Sequence, residues 1–272
     1  MIIYIQTYNS LQIIHLQIGH YIASTITTKK AHSGIKMLKT LLPLSAAVLL
    51  SGCIVHVKSG PGSAPKYFDN QQLTLSAATL KTLDTEAGAG NLSIVGSDTA
   101  TEIIVDAEIY AYDAEDFTLT LKEKGSRAEL IARASNSNNW QVNSPGPKIN
   151  LTITVPTNLN LIVDDGSGNI EIKQVSGNID IDDGSGSITI EGGNNIIIED
   201  GSGSMTVNNT QGDLEIDDGS GEVSVNNIAG TVTIDDGSGS INVNGAGGLV
   251  IEDSGSGGLQ IKNVKGKVEI DE

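Results

Sequence analysis

The chain has 272 residues, a formal net charge of −17 and only 3% aromatic residues. From Asp164 to the C-terminus it carries 21 acidic residues and 4 lysines, whereas the rest of the chain is neutral. The acidity therefore belongs to one region, which argues against nucleic acid or anionic lipid as a partner for it. Cations and basic surfaces are compatible with this charge.

Residues 37–53 have the features of a signal peptide for export. A charged start is followed by an apolar run over residues 41–50, which is too short to span a bilayer, and then by Ser51-Gly52-Cys53. Leu50-Ser51-Gly52-Cys53 resembles a bacterial lipobox. This resemblance implies that Cys53 is acylated, with palmitate as a typical chain, and becomes the first residue after cleavage. A plain secretory signal with an incidental cysteine is the alternative.

The lipobox interpretation has consequences for chemistry and location. Cys53 is the only cysteine, so the exported protein has no disulfide and no thiolate chemistry. The next residue is Ile54 and not Asp, which by resemblance to Gram-negative sorting implies the outer membrane. We therefore expect a lipid-anchored outer-membrane protein, facing the periplasm or the cell surface. The expected partners are the membrane, through the lipid on Cys53, and an envelope or surface partner of unknown identity.

The segments on either side of the signal peptide are not expected to fold. Met37 heads a complete signal, so residues 1–36 are interpreted as an over-long start, with a genuine cytoplasmic extension as the alternative. Residues 54–72 contain a stretch rich in Gly, Ser and Pro over residues 59–65, which predicts a flexible tether. Folded structure is expected to start near Gln71.

Residues 73–160 predict an irregular N-terminal β part. Apolar residues alternate with polar ones in several segments, such as Leu92–Val95, Glu102–Ala107, Phe117–Leu121 and Ile149–Val155. Because the terminal units of repeat proteins must close against solvent, they usually depart from the repeat pattern.

Residues 161–272 repeat one phrase, an acidic pair followed by Gly-Ser-Gly. Five full copies begin at Asp164, Asp182, Glu199, Asp217 and Asp235, and a looser sixth copy runs over residues 252–257. The Gly-Ser-Gly starts lie 18, 17, 18, 18 and 18 residues apart. A fixed period of this length is typical of a chain that stacks identical units.

Each unit predicts two short strands and two glycine-rich corners, and apolar residues fall at every second position of the strands. The predicted fold is all-β, a parallel β-solenoid with coils of about 18 residues. An antiparallel β-meander or sandwich is the alternative, although hairpin loops would vary more in length. The predicted inward residues are Leu161, Val163, Ile170, Ile172, Ile179, Ile181, Ile188, Ile190, Ile196, Ile198, Met205, Val207, Leu214, Ile216, Val223, Val225, Val232, Ile234, Ile241, Val243, Leu249, Ile251, Leu259, Ile261, Val268 and Ile270.

The segment from Val155 to Val163, followed by Gly166-Ser167-Gly168-Asn169-Ile170-Glu171-Ile172, resembles a bacterial β-strand-repeat family known as "putative adhesins". The resemblance covers residues 75–272. It implies a right-handed β-helix that is exported or lipid-anchored. The family has no established chemistry, so the resemblance implies a fold and a location and no mechanism.

The composition of the predicted folded part argues against an enzyme. It contains no histidine, since the four histidines of the chain all lie at or before His56, and its arginines are Arg127 and Arg133. General acid–base catalysis would have to use carboxylates, yet these repeat identically and form no singular site. We therefore expect no catalytic residues, and a non-catalytic adhesin or structural scaffold of the cell envelope.

The second acid of each motif is the main candidate for a binding role. In-register stacking would place Asp165, Asp183, Asp200, Asp218, Asp236 and Asp253 in one column. These side chains could accept hydrogen bonds from the Gly-Ser-Gly amides. They could instead hold calcium, the one cofactor considered, and the alternative function is a calcium-binding acidic solenoid whose stability or contacts depend on the cation. The calcium-binding repeat of secreted toxins places its acid after the glycines, so it does not match directly.

A polar column is predicted at the end of the second strand of each unit. Its members are Lys173, Glu191, Asn208, Asn226, Asn244 and Lys262. Three asparagines at this spacing predict a ladder of side-chain amides. A sugar-binding stripe is the alternative, but the repeat has no aromatic residue on which a sugar ring could stack.

Overall fold

The computed structural model describes residues 64–135 and 146–271. These residues form twenty β-strands and no helix. The strands are β1 Tyr67–Ser76, β2 Thr82–Ala89, β3 Leu92–Ser97, β4 Glu102–Ala111, β5 Phe117–Lys124, β6 Arg127–Ala134, β7 Lys148–Pro156, β8 Asn160–Ser167, β9 Ile170–Val175, β10 Ile179–Asp183, β11 Gly186–Gly192, β12 Ile196–Asp200, β13 Gly203–Asn208, β14 Leu214–Asp218, β15 Gly221–Asn226, β16 Thr231–Asp236, β17 Gly239–Ala246, β18 Gly248–Asp253, β19 Leu259–Val264 and β20 Val268–Ile270. Cys53 and the predicted signal peptide lie outside the described residues.

The strands form two ten-stranded sheets. Sheet 1 has the order β1-β4-β7-β3-β9-β11-β13-β15-β17-β19, and sheet 2 has the order β20-β18-β16-β14-β12-β10-β8-β2-β6-β5. From β8 to β19 the chain alternates between the sheets, and each strand pairs in parallel with its equivalent in the next coil. The predicted β-solenoid with coils of about 18 residues is confirmed, and it has about six turns.

Apolar residues fall at every second position of the strands, and these are the positions that are buried in the structure. Of the predicted inward residues, those from Leu161 to Ile251 are buried, and they belong to one hydrophobic core cluster. The prediction fails at the last coil, where Leu259, Val268 and Ile270 are exposed and Ile261 is only partly buried. The inward side chains of a coil are covered by the coils on both sides of it. The last described coil has a described neighbour on one side only, so its inward side chains remain at least partly exposed.

The close stacking of the corners explains why the last residue of each Gly-Ser-Gly phrase must lack a side chain. Gly186 has φ 151°, and a Cβ atom there would lie 1.5 Å from the carbonyl oxygen of Gly168 in the preceding coil. Gly203 has φ 152° and the same clash with Gly186. Only glycine fits such a close approach of stacked backbones.

The N-terminal part is less regular, as predicted, but two of its strands belong to the stack. β2 pairs in parallel with β8, and β3 pairs in parallel with β9. The remaining strands include antiparallel pairs, β1 with β4, β4 with β7 and β5 with β6, at the end of each sheet. β1 begins at Tyr67, before the expected start near Gln71, because Tyr67 already pairs with Ala111 of β4.

Candidate functional site

The acidic pair lies at the end of the sheet 2 strands β10, β12, β14 and β16 and near the end of β8, and its two members face opposite sides. The first member is exposed and forms an outer ladder, which consists of Asp164, Asp182, Glu199, Asp217 and Asp235. The second member is buried and forms what we call the aspartate column, which consists of Asp165, Asp183, Asp200, Asp218 and Asp236. The sequence alone did not predict that the second acid would be as buried as the core.

In four of the five column side chains, one carboxylate oxygen accepts a hydrogen bond from a backbone amide of the corner. Asp183 Oδ1 accepts a hydrogen bond of 3.2 Å from the Ser185 amide, and Asp218 Oδ1 accepts one of 3.1 Å from the Ser220 amide. Asp200 and Asp236 accept equivalent bonds from the serine two residues later. The aspartates therefore act as turn residues, one of the two roles considered from the sequence.

The other oxygen has no such partner. The Oδ2 atoms of all five column aspartates are buried and make no hydrogen bond. Because a buried polar atom without a partner costs free energy, each coil contains a local source of instability that the turn hydrogen bond does not remove.

Burial raises the pKa of every carboxyl group in the column. Desolvation is the main cause, and the pKa rises to about 7 for Asp165 and to about 6 for Asp183 and Asp218. The negative charge of the neighbouring column aspartate raises these pKa values further, while the backbone hydrogen bond opposes the shift. The pKa values of Asp200 and Asp236 are also raised, chiefly by burial.

Asp253 was expected to be the sixth member of the column, and this prediction is wrong. The register between β16 and β18 shifts after Ile234, so that Asp253 pairs with Asp235 of the outer ladder and not with Asp236. Asp253 is exposed, and its Oδ1 accepts a bond of 2.8 Å from the Gly255 amide. The looser sixth motif has an extra residue, Ser254, which changes the turn that follows.

The first coil contributes one position that the sequence analysis missed. Glu86 of β2 aligns with Asp164 and extends the outer ladder, where it forms an ion pair with Arg133. Ala87 takes the place of a column aspartate. The sequence Glu86-Ala87-Gly88-Ala89-Gly90 retains the glycine spacing of the motif, which is the signal that could have revealed it.

The calcium hypothesis for the five column aspartates stays a prediction. Within residues 64–135 and 146–271, no three or more His, Cys, Asp or Glu side chains are grouped so that they could hold a metal ion. The column is linear, and its carboxyl groups follow one another from coil to coil and do not converge on a point.

The polar column of sheet 1 lies as predicted, with Glu191, Asn208, Asn226 and Asn244 in register. Asn226 Nδ2 donates to Asn208 Oδ1 over 3.1 Å. The following residues, Asn209 and Asn227, have φ near 58° and also bond to each other, over 2.6 Å. These ladders stabilise the stacking of the second corner.

The comparisons with known proteins identify the family. A family model described as "Toastrack DUF4097" matches residues 67–272. The chain belongs to this DUF4097 family. No curated protein sequence matches the chain.

Solved structures of similar proteins have low identity to this DUF4097 chain. A "putative cell adhesion protein" from Clostridium sporogenes is 14% identical with a TM-score of 0.38, and a "putative adhesin" from Parabacteroides distasonis is 16% identical with a TM-score of 0.35. In both comparisons the match covers 74% of this chain and 97% of the other. A "putative lipid binding protein" from Parabacteroides distasonis is 13% identical, with the same coverage and a TM-score of 0.30.

Proposed function

We propose that this DUF4097 protein is a non-catalytic lipoprotein of the cell envelope, held at the outer membrane by a lipid on Cys53, and that the solenoid serves as an adhesive or scaffolding surface. The observation that carries the proposal is the uniformity of the exterior. The outer ladder repeats one exposed carboxylate per coil, and the facing sheet repeats short polar side chains. An extended repeating surface suits contact with another extended surface, whereas catalysis needs a singular site.

The two exterior faces differ in charge, which suggests where a partner binds. Sheet 2 presents the outer ladder, and strand spacing places successive carboxylates about 5 Å apart. The equivalent central positions of sheet 1 from β11 to β17 are Thr189, Thr206, Ser224 and Asn242, which carry no charge. The preceding member of this row, Glu171, is paired with Lys173. We therefore assign the adhesive role to sheet 2 and expect a partner surface with positive charge.

Anchoring and adhesion are tested separately. Replacing Cys53→Ala should release the protein from the membrane fraction, and mass spectrometry should no longer find an acylated N-terminal peptide. A variant that remains membrane-bound without acylation would contradict the lipid anchor. No described residue belongs to a helix long and apolar enough to cross a bilayer.

Adhesion is measured as the attachment of cells that carry the anchored protein to surfaces coated with a basic polymer, a neutral polymer or an acidic polymer. Neutralising three ladder acids, Asp182→Asn, Glu199→Gln and Asp217→Asn, should reduce attachment to the basic surface. The matched control, Thr189→Ala, Thr206→Ala and Ser224→Ala on sheet 1, should leave it unchanged. Equal attachment by all three proteins at equal surface abundance would refute the assignment to sheet 2.

A further inference from the structure

The aspartate column places five carboxyl groups inside the solenoid without a buried base. Asp183 and Asp218 are 1% exposed and Asp236 is 0% exposed, so they are as buried as the isoleucines beside them. The buried polar residues of the described part are aspartates and threonines, and they include no Lys, Arg or His. No buried basic side chain in the described interior therefore offsets negative charge on the column.

The groups that face the column cannot supply positive charge either. Along the stack, the neighbours of the column aspartates are one another, and one end of the row is Ala87 of β2. The adjacent outer ladder is acidic, and the exposed Asp253, which pairs with Asp235, also raises the pKa of Asp236. On sheet 1, the first inward residues after the corners are aliphatic, such as Ile188, Met205 and Val223. The charges that act on the column aspartates are those of other aspartates, and they oppose ionisation. Arg133, at the start of the outer ladder, is paired with Glu86.

The hydrogen bonds within each side chain lead to the same conclusion. In four of the five side chains Oδ1 accepts a hydrogen bond from the serine amide, whereas in all five Oδ2 is buried without a partner. A carboxylate is only an acceptor, and no donor is available to Oδ2 in the described structure. A neutral carboxyl group is far cheaper to bury than a carboxylate, and its hydroxyl can donate a hydrogen bond, which a carboxylate cannot do.

We propose that the aspartate column is a proton-binding site, which takes up protons as the chain folds and makes the folded solenoid more stable in mildly acidic than in neutral solution. The proton fits this column better than a metal ion does. A metal ion needs several oxygen ligands around one point, and the described residues contain no such group. A proton needs a single oxygen, and each column aspartate has one that is unpartnered.

The direction of the pH dependence follows from the pKa values. In the folded state the pKa is about 7 for Asp165 and about 6 for Asp183 and Asp218, compared with an ordinary value of 3.8. Between these limits the folded chain binds more protons than the unfolded chain, so stability rises as the pH falls through this window. The gain is complete below the ordinary value and is lost as the pH rises through the folded pKa values. Because neighbouring groups interact, the protons are released in steps that belong to the whole column.

The direct test is a titration of the purified full-length protein in detergent, labelled with ¹³C at the aspartate side-chain carboxyls and followed by NMR. A set of carboxyl resonances should have midpoints near the values given for Asp165, Asp183 and Asp218. Asp218→Asn should remove one resonance of this set and lower the midpoints of its neighbours. Titration of every aspartate at its ordinary pKa would overturn the proposal, and this result does not depend on any variant being stable.

Thermal unfolding at neutral and mildly acidic pH separates the column from the general charge of the chain. The melting temperature of the wild type should rise on acidification. Asp218→Asn should raise the melting temperature at neutral pH and reduce the gain on acidification, whereas the outer-ladder control Asp217→Asn should keep the full gain. An equal gain in the two variants would attribute the effect to surface repulsion. If Asp218→Asn lowers the melting temperature equally at both pH values, the column aspartates act only as turn residues. Either of these two results overturns the proposal.

A last comparison distinguishes protons from metal ions. Unfolding is measured at neutral pH in EDTA, in calcium and in magnesium at matched ionic strength. The proposal predicts equal, small shifts with the two metal ions, which screen the exterior. A large stabilisation by calcium alone, lost in Asp218→Asn, would assign the column to calcium and overturn the proton assignment. Either result leaves the adhesive role of sheet 2 to be judged by the attachment assay.

Discussion

Replacing a single inward residue tests the register of the whole solenoid. Ile198 of β12 is 1% exposed and lies between Ile181 and Ile216 of the adjacent coils. The substitution Ile198→Asp removes a buried aliphatic side chain, which costs about 1.5–3 kcal/mol. It also buries a carboxyl group, which must be protonated to be neutral. Burial that raises the pKa of this group by about 3 units lowers the free energy of unfolding by about 4 kcal/mol at neutral pH.

The sum is a loss of about 6 kcal/mol, which is a large part of the typical stability of about 5–15 kcal/mol for a domain. Because each coil contacts only its neighbours, the loss should open the stack locally around β12 before the rest unfolds. For a domain of this size each kcal/mol shifts the melting temperature by about 2–4 °C, so the expected decrease is about 12–24 °C.

The assay is thermal unfolding by circular dichroism, with hydrogen exchange to locate the opened coil. The matched control is Thr206→Asp on β13, where the side chain points outward between Thr189 and Ser224. It introduces the same acid and should change stability by less than about 0.5 kcal/mol. A second control, Ile198→Ala, removes the aliphatic side chain without introducing an acid and so measures that contribution alone. Equal decreases for the two aspartate variants would refute the inward register.

Two further substitutions test the corners. Gly203→Ala should destabilise the protein by more than about 3 kcal/mol in denaturant unfolding, because its Cβ would lie 1.5 Å from the Gly186 carbonyl oxygen. Gly258→Ala, where the nearest atom is 3.7 Å away, should be tolerated, and equal effects would contradict the stacking of the corners. Asn226→Ala should cost about 1 kcal/mol through the lost amide bond to Asn208. If it costs no more than Ser224→Ala in the same assay, the amide ladder adds no stability.

The period of the repeat was sufficient to predict the coils, but not the arrangement of the N-terminal strands. Identical motifs at a fixed spacing can stack in register in one simple way, so the pairing of Ile181 with Ile198 followed from the sequence. The strands of residues 102–156 have no such repeat. Their partners are distant in sequence, as for Tyr67 and Ala111, and an alternating pattern alone does not specify which strand pairs with which.

The alternation of inward and outward residues predicts that the column aspartates are buried, whereas the polarity of their side chains predicts that they are exposed. Leu161, Val163 and Asp165 occupy every second position of one strand, and all three are buried. An aspartate at a glycine-rich corner is normally exposed, so the sequence predicted a turn residue or a calcium ligand there and not a buried side chain. The exclusion of Asp253 from the column could not be predicted either, because it depends on a shift of register after Ile234.

The proposed anchor and the proposed proton-binding column would together set the conditions under which the protein works. An exported protein is exposed to the pH of its surroundings, whereas a cytoplasmic protein is buffered by the cell. Lower pH would neutralise the aspartate column, because burial raises the pKa values of its carboxyl groups. Mild acid should therefore stabilise the solenoid. The stabilisation depends on the buried column, whereas attachment depends on the exposed outer ladder, so the pH dependence of stability and that of attachment are separable measurements on one protein.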